Sequence, residues 1–482
     1  MTEIAHLTSF VGGAFRPHPG GAWVDDVNPS DASDVVARVP AGDPADVDAA
    51  VDAASAALAA WKRKTGPQRS ETLAAWGDAI SARREEFAQT MAREVGKPIA
   101  EARGEAARCV AILRYFAGEA VREIGQVIPA QAPGALQFTL REPLGVVALI
   151  TPWNFPTAIP LWKTAPALAF GNVVVLKPAE AASRSAILLA ETASAAGLPA
   201  GVFNVVLGSG GAIGPRLVGH ESVEAVSFTG SGKVGAQIAA AAARRNIRYQ
   251  TEMGGKNVVI VAPDADLDLA ASLTVAGAMR YAGQKCTATS RAVVDRRVRD
   301  GFLDRVRAQV DALVLGPVTD PAAHVGPVIS RESQETIGRA LAGAGAANVH
   351  GGKLPAGDAW SRGFFCSPAV VENADPDSPI AREELFGPVL ATFEASDLDE
   401  AIALANRTEY GLSASLFTRD LKTALAFIPK IEAGLVRVNG DTTGVDPHAP
   451  FGGMKGSSSG SREQGPAARE FYTEIKTVQI HP

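Results

Sequence analysis

Cys286 stands alone among small and hydroxylated residues in Tyr281-Ala-Gly-Gln-Lys-Cys286-Thr-Ala-Thr-Ser-Arg291, and a carboxylate, Glu252, precedes it by 34 positions in Thr251-Glu252-Met-Gly-Gly-Lys256. A free thiol has a pKa of about 8.5 and becomes a nucleophile once a base takes its proton, so the pair suits thiol chemistry with a separate base. A buried core thiol is the competing reading of Cys286, against which stand its small polar neighbours and the Gly283-Gln284 turn. Cys109, on a helix face with Ile112 and Phe116, and Cys366, in the strand-like Phe364-Phe-Cys-Ser, read as core. Three cysteines cannot all pair, and so sparse and odd a count suits a reducing cytosol.

A second chemistry is phosphate binding. A strand over 223–228 runs into Phe228-Thr-Gly-Ser-Gly-Lys-Val-Gly235, and residues 236–243 look helical, so free N–H groups and a helix dipole point at Gly230 and Ser231. Gly208-Ser-Gly-Gly-Ala-Ile-Gly214 fits the Gly-x-Gly-x-x-Gly pattern only in a relaxed register. Either cluster is a nucleotide cradle or an ordinary connecting turn. Lys177-Pro-Ala-Glu180 ends a strand at the carboxyl edge of a parallel sheet, where nucleotides dock. Lys177 can reach ribose or phosphate oxygens, and Glu180 accepts ribose hydroxyls but repels a 2'-phosphate, favouring NAD over NADP. The competing reading is a surface salt bridge between the two.

The elements that must position these groups belong to a large chain. Its 482 residues correspond to roughly three domains of about 150 residues each. Hydrophobic and charged fractions of 46% and 20% are those of a globular protein, which argues against disorder. A net charge of -6 without blocks of like charge excludes nucleic acid as a partner. The longest uncharged run, Thr192 to Pro215, is broken by six glycines and two prolines into turn, strand and turn, so no membrane span is expected. The first six residues carry neither a basic nor an apolar region, so nothing marks export and a cytoplasmic location is expected. No metal site is read.

Asp43-Pro44 opens a helix with Val47, Val51, Ala54, Leu58 and Trp61 on one face; a second helix spans 68–95 and stops at Gly96, and a third spans 100–124. The first quarter therefore reads as mainly helical. From Gly145, apolar runs at 145–151, 171–176, 202–207, 223–228 and 257–262, several separated by alanine-rich helical stretches, predict a parallel α/β sheet. Residues 265–440 repeat the alternation as a second lobe, with strands at 291–295 and 434–439. Residues 126–142 alternate like a hairpin around Pro133-Gly134, and 470–480 alternate like a strand. Beyond alanine-rich helices, Ser457-Ser458-Ser459 is the one low-complexity tract.

Seven strings occur in one order: Thr151-Pro-Trp-Asn-Phe-Pro156, Lys177-Pro-Ala-Glu180, Phe228-Thr-Gly-Ser231, Glu252-Met-Gly-Gly-Lys256, Gly283-Gln-Lys-Cys286, Glu383-Glu-Leu-Phe-Gly-Pro388 and Pro450-Phe-Gly-Gly-Met-Lys455. Over essentially its whole length the chain resembles the aldehyde dehydrogenase superfamily. The resemblance implies an α/β fold of two parallel lobes plus a β-arm for oligomerisation. It implies an NAD-binding domain over 1–125 and 143–255, a catalytic domain over 256–440 and an arm over 126–142 and 466–482, with assembly into a homodimer or homotetramer. It further implies that Cys286 attacks an aldehyde carbonyl to give a thiohemiacetal and then a thioester, and that the Asn154 amide and the Cys286 N–H hold the oxyanion. Glu252 resembles the base that activates the hydrolytic water, and Lys163 corresponds to a lysine proposed for proton relay. The cofactor is NAD, with NADP as the alternative. By the same resemblance Trp153 lies near the pyrophosphate, Lys177 and Glu180 on the adenosine ribose, and Gly210 and Gly214 near the adenine. Gly230 and Ser231 belong to the phosphate loop, and Glu384 and Phe386 lie at the nicotinamide ribose. Met253 replaces the usual leucine at similar volume. Taken without the resemblance, Asn154 is a turn residue between two prolines and Glu252 a solvated carboxylate at a strand start.

The segment Gly444 to Gly465, the Cys286 loop and the tail 470–477 are similar to the subgroup acting on α-ketoglutaric semialdehyde (2,5-dioxopentanoate), which implies 2-oxoglutarate as product. Arg280 is a candidate cation for such an anionic substrate, or else a surface residue. The competing activities are oxidation of another semialdehyde, such as succinic semialdehyde, or of an aromatic aldehyde, and a non-redox thiol acyl-transferase or hydrolase.

Overall fold

The computed structural model describes residues 4–17, 20–344, 349–354, 357 and 360–482. Residues 1–3, where the reading of no export signal begins, lie outside that set.

The first helix, Pro44–Arg63, starts as its sequence dictates, with the Asp43 side chain accepting from Ala45 N and Pro44 in the first turn. The single helix expected over 68–95 is two, Gly66–Ala82 and Arg84–Val95. Arg83 leaves helical geometry between them, and its guanidinium binds Glu86 and Glu191, a tertiary partner that periodicity does not register. Gly96, at φ 66°, ends the second of these. The third helix, Ile99–Glu119, stops five residues short of expectation, where the Ala120 carbonyl packs so closely on Gly66 that a Cβ there would lie 2.3 Å away. Ahead of the helices lie strands that the sequence reading missed, including Trp23–Asn28 paired with Asp31–Pro40.

Five parallel strands form the centre of the first sheet: β1 (Val146–Ile150), β2 (Val173–Lys177), β3 (Phe203–Val205), β4 (Val223–Thr229) and β5 (Arg248–Glu252), in the order 3-2-1-4-5. Antiparallel segments Phe10–Val11 and Ser458–Gly460 flank it. Helices cover the sheet, so β1 and β2 are near-continuous buried apolar runs. Strand order reverses between β1 and β4, which opens a crevice outside their carboxyl ends.

The second sheet holds β6 (Asn257–Val261), β7 (Thr289–Asp295), β8 (Ala369–Val371), β9 (Val389–Ala395), β10 (Ser413–Phe417) and β11 (Leu435–Val438), parallel in the order 8-9-7-6-10-11. The run at 257–262, grouped by its composition with the first sheet, is central to this one instead. The chain crosses between sheets in Met253–Lys256, and an apolar run carries no mark of which sheet it will pair with.

The two orphan segments meet. Leu136–Pro143 pairs antiparallel with both Val127–Ile128 and Thr473–Ile480 in a separate three-stranded sheet. The tail strand starts later than expected, because Glu470–Tyr472 still belong to the helix Gly465–Tyr472. Val127 and Ile475 on this sheet are 77% and 61% exposed. Among the described residues no helix is long and apolar enough to cross a membrane.

Candidate active site

Cys286 lies on a turn between the helix Leu267–Met279 and β7. Tyr281, Ala282 and Gly283 all take left-handed backbone angles, with φ of 55°, 50° and 69°. Such angles cost non-glycine residues about 1–3 kcal/mol each and persist where the surroundings impose them. A Cβ at Gly283 would stand 2.2 Å from the Gly387 carbonyl. The next residue, Gln284, is an anchor: its Oε1 accepts from Ile329 N at 2.8 Å, and its Nε2 donates to the Tyr281 and Pro327 carbonyls. The Cys286 carbonyl accepts from Asn257 Nδ2 at 2.7 Å, and Thr442 Oγ1 donates to the Thr287 carbonyl at 2.7 Å. The backbone is thus fixed on both sides of Cys286, a residue less deeply buried than Cys109 and Cys366. Cys366 sits in irregular backbone rather than the strand expected of it.

Asn154 arrives from the carboxyl end of β1, and its Nδ2 donates to the Gln284 carbonyl at 3.0 Å, tying the two loops together. The other Nδ2 hydrogen is left for another acceptor. Glu252 is neither solvated nor at a strand start: it is 2% exposed, at the end of β5. That strand was missed because Arg248-Tyr-Gln-Thr-Glu252 is mostly polar, and its buried side chains bond to polar partners. Ser458 Oγ donates to Glu252 Oε2 at 2.6 Å, while Oε1 is buried without a protein partner. Burial, and then the Glu463 carboxylate, hold the Glu252 carboxyl well above the usual range. Burial first, then the carboxylates of Glu384 and Glu252, push the Cys286 thiol up to about 12. The thiol therefore needs a base at neutral pH, and Glu252 in its ionised form is suited to the task.

Lys163 is fully buried, ion-paired with Glu463, and donates to Ser227 Oγ at 2.8 Å. Gln250 Nε2 also reaches Ser227 Oγ, at 2.9 Å. Glu463 and Ser458 were not singled out from sequence. The signal for Ser458 was the serine tract itself, which is no idle repeat: Ser457 Oγ accepts from Gly411 N at 3.0 Å, Ser458 binds Glu252, and Ser459 Oγ meets Thr251 Oγ1 at 2.7 Å.

At the crevice of the first sheet, Ser231 is the N-cap of the helix Gly232–Arg245, yet its side chain makes no capping bond. Gly230 is obligatory, since a Cβ there would come 2.5 Å from the Phe228 ring. Met253 packs on Gly235. Lys177 ends β2 and is buried, which pushes its ammonium down to about 8; Nζ donates to the Pro178 carbonyl at 2.9 Å. Glu180 forms no salt bridge with it, and Oε1 instead accepts from Gly210 N at 3.3 Å. Gly210 and Gly214 belong to the helix Gly210–Gly219, where a turn was expected. Nearer the thiol, Glu384 Oε1 accepts from Gly255 N at 3.0 Å, and a Cβ at Gly254 would stand 2.0 Å from Oε2. Burial raises Glu384 to about 7. Phe386, left-handed at φ 53°, meets Trp153 edge to face at 5.6 Å. Arg280 is exposed. An uncommitted Ser231 hydroxyl at a helix N-terminus and a buried lysine at the same sheet edge fit an anionic dinucleotide.

The Aldehyde dehydrogenase family profile matches residues 16–478. The chain is 44% identical to an alpha-ketoglutaric semialdehyde dehydrogenase of Bacillus subtilis (strain 168), over 100% of this chain and 99% of that one. It is also 44% identical to an alpha-ketoglutarate semialdehyde dehydrogenase of Haloferax volcanii, over 98% of each. The crystal structure of an NAD-dependent aldehyde dehydrogenase from Sinorhizobium meliloti superposes with a TM-score of 0.95 at 39% identity, over 99% of this chain and 96% of that chain. A thiol turn, a crevice for a dinucleotide and full-length likeness of this kind have one explanation: the chain belongs to the aldehyde dehydrogenase family and is an enzyme of that type.

Proposed function

We propose that this enzyme oxidises 2,5-dioxopentanoate to 2-oxoglutarate with NAD, using Cys286 as nucleophile. The names of the two relatives at 44% identity support the substrate, and the Sinorhizobium meliloti structure together with Glu180 supports NAD over NADP. The observation that carries the catalytic reading is the gathering of the Asn154 amide and the half-unpartnered Glu252 carboxylate around a turn built for one thiol.

In this reading Glu252 takes the thiol proton and the sulfur attacks the aldehyde carbon. The free Asn154 Nδ2 hydrogen and the Cys286 N–H hold the resulting oxyanion. The dinucleotide, when bound, supplies the hydride acceptor. Ser231 and the Gly230 backbone hold its phosphates, Lys177 and Glu180 its adenosine ribose, and Glu384 its nicotinamide ribose, with Trp153, Phe386, Gly210 and Gly214 lining it. Once it has released the thiol proton to solvent, Glu252 draws a proton from the water that hydrolyses the Cys286 thioester. Glu463, Lys163 and Ser227 are the next polar groups inward. Residues 1–125 and 143–255 act as the cofactor domain and 256–440 as the catalytic domain. The three-stranded sheet of 126–142 and the tail, with its exposed Val127 and Ile475, serves a homodimer or homotetramer. The sparse thiols suit a cytoplasmic setting.

Formation of reduced nicotinamide, followed by absorbance, tests the proposal. The value of kcat/KM is expected to be highest for 2,5-dioxopentanoate, against succinic semialdehyde and benzaldehyde, and higher with NAD than with NADP. A better rate on either rival aldehyde would overturn the substrate, and no reduction with any aldehyde would overturn the chemistry.

A further inference from the structure

Below the loops that carry Asn154 and Cys286 lies a buried ion pair with no part in the chemistry so far. The side chains of Lys97 and Glu105 are 0% and 1% exposed and ion-paired. Removing two charges from water carries a heavy desolvation penalty, and apolar replacements of such pairs are often neutral or stabilising, so stability alone accounts poorly for this one.

Its contacts point elsewhere. Glu105 Oε1 accepts from Thr157 N at 3.0 Å, Thr157 Oγ1 at 2.9 Å and Ala158 N at 2.9 Å. Those donors open the helix Ala158–Ala169, whose positive end favours a carboxylate, and they end the loop that holds Asn154. Lys97 Nζ stands 3.9 Å from the centroid of Phe155 and 4.6 Å from that of Tyr281. Phe155 follows Asn154 directly, and Tyr281 begins the left-handed turn that leads to Cys286. A desolvated cation is drawn strongly to an aromatic face, and this one faces rings from both loops. The Tyr281 hydroxyl also donates to the Val95 carbonyl at 3.4 Å, in the segment just before Lys97.

We propose that Lys97 and Glu105 form a positioning pair that sets the spacing between the oxyanion donor and the nucleophile. The carboxylate fixes the far end of the Asn154 loop, and the ammonium clamps that loop to the Cys286 turn through the two rings. Neither residue touches substrate or cofactor. The inference rests on the roles given to Cys286 and Asn154 above.

The test is the double variant Lys97→Met/Glu105→Gln, which leaves no lone buried charge. It is expected to fold and to bind NAD with a Kd within about twofold of native, while kcat for the aldehyde falls about 10- to 100-fold, as a displacement near 1 Å in a reacting pair can produce. A folded double variant with native kcat, or one whose NAD affinity falls in step with kcat, would overturn the proposal. If the double variant does not fold, two single variants decide. Tyr281→Phe keeps the ring and is expected to keep native kcat, whereas Tyr281→Leu loses the clamp and falls about tenfold; equal kcat in the two would overturn it. Cys286→Ala is measured alongside. An active Cys286→Ala removes the catalytic reading, while an inactive one beside an unimpaired Lys97→Met/Glu105→Gln removes only the positioning pair.

Discussion

At the crevice of the first sheet the candidate ligand groups Lys177 and Ser231 stand within two residues of a strand end, whereas the partners around Cys286 are joined across the chain. Lys177 closes β2 and Ser231 follows β4 by two residues. Asn154 reaches Gln284 over 130 positions, Glu252 reaches Ser458 over 206, and Lys163 reaches Glu463 over 300. The crevice leaves hydrogen-bonding capacity unspent, as in the Ser231 hydroxyl. The thiol pocket spends most of its own internally, sparing one Asn154 hydrogen and one oxygen each of Glu252 and Glu463. A locally built cradle is expected to lose affinity in small steps, and a mutually bonded pocket to lose rate in large ones.

Cys286→Ala should break the contrast most sharply. Its kcat is expected to fall by at least about 10⁴-fold, as for a nucleophile that acts as one unit with its neighbours, while NAD affinity by fluorescence titration stays native. Asn154→Ala should cost about 10²–10³ in kcat, the loss of one oxyanion donor, read by steady-state oxidation with little change in NAD affinity. Ser458→Ala probes pH. Its hydrogen bond lowers the Glu252 pKa, and Glu252 must be ionised to act as base, so kcat rises with pH and the acid limb of the variant should move upward by about one unit. A limb that stays in place would separate Glu252 from the serine strand. At the crevice, Glu180→Ala should narrow the preference for NAD over NADP by about tenfold in kcat/KM with kcat on NAD unchanged, an effect of about 1.4 kcal/mol. A large fall in kcat there would erase the contrast.

The same contrast explains what the sequence disclosed. Strand, loop and helix N-terminus are neighbours in sequence, so the surroundings of Ser231 and Lys177 could be read from apolar runs and glycines. Cys286, Glu252 and Asn154 were legible as residue types within recognisable strings, but the burial of Glu252 was not. It depends on β5, a strand next to the sheet's edge whose polar side chains on both faces bond to Ser227, Ser459 and Ser458, and hydrophobic periodicity registers only apolar faces. Glu463 lay inside a quoted string without a role, because a lone carboxylate shows no chemistry until Lys163 is brought against it. The break at Arg83 has the same origin, a tertiary contact with Glu191 that local propensity does not contain.

The central claim is a carbon–sulfur bond at one residue, with Glu252 needed to undo it. Glu252→Gln incubated with NAD and 2,5-dioxopentanoate until the small thiolate fraction has reacted without its base, quenched in acid and analysed by peptide mass spectrometry, is expected to carry the substrate's acyl group on Cys286, with slow, near one-to-one release of reduced nicotinamide before turnover stalls. An unmodified Cys286, or the acyl group on any other residue, would contradict the account.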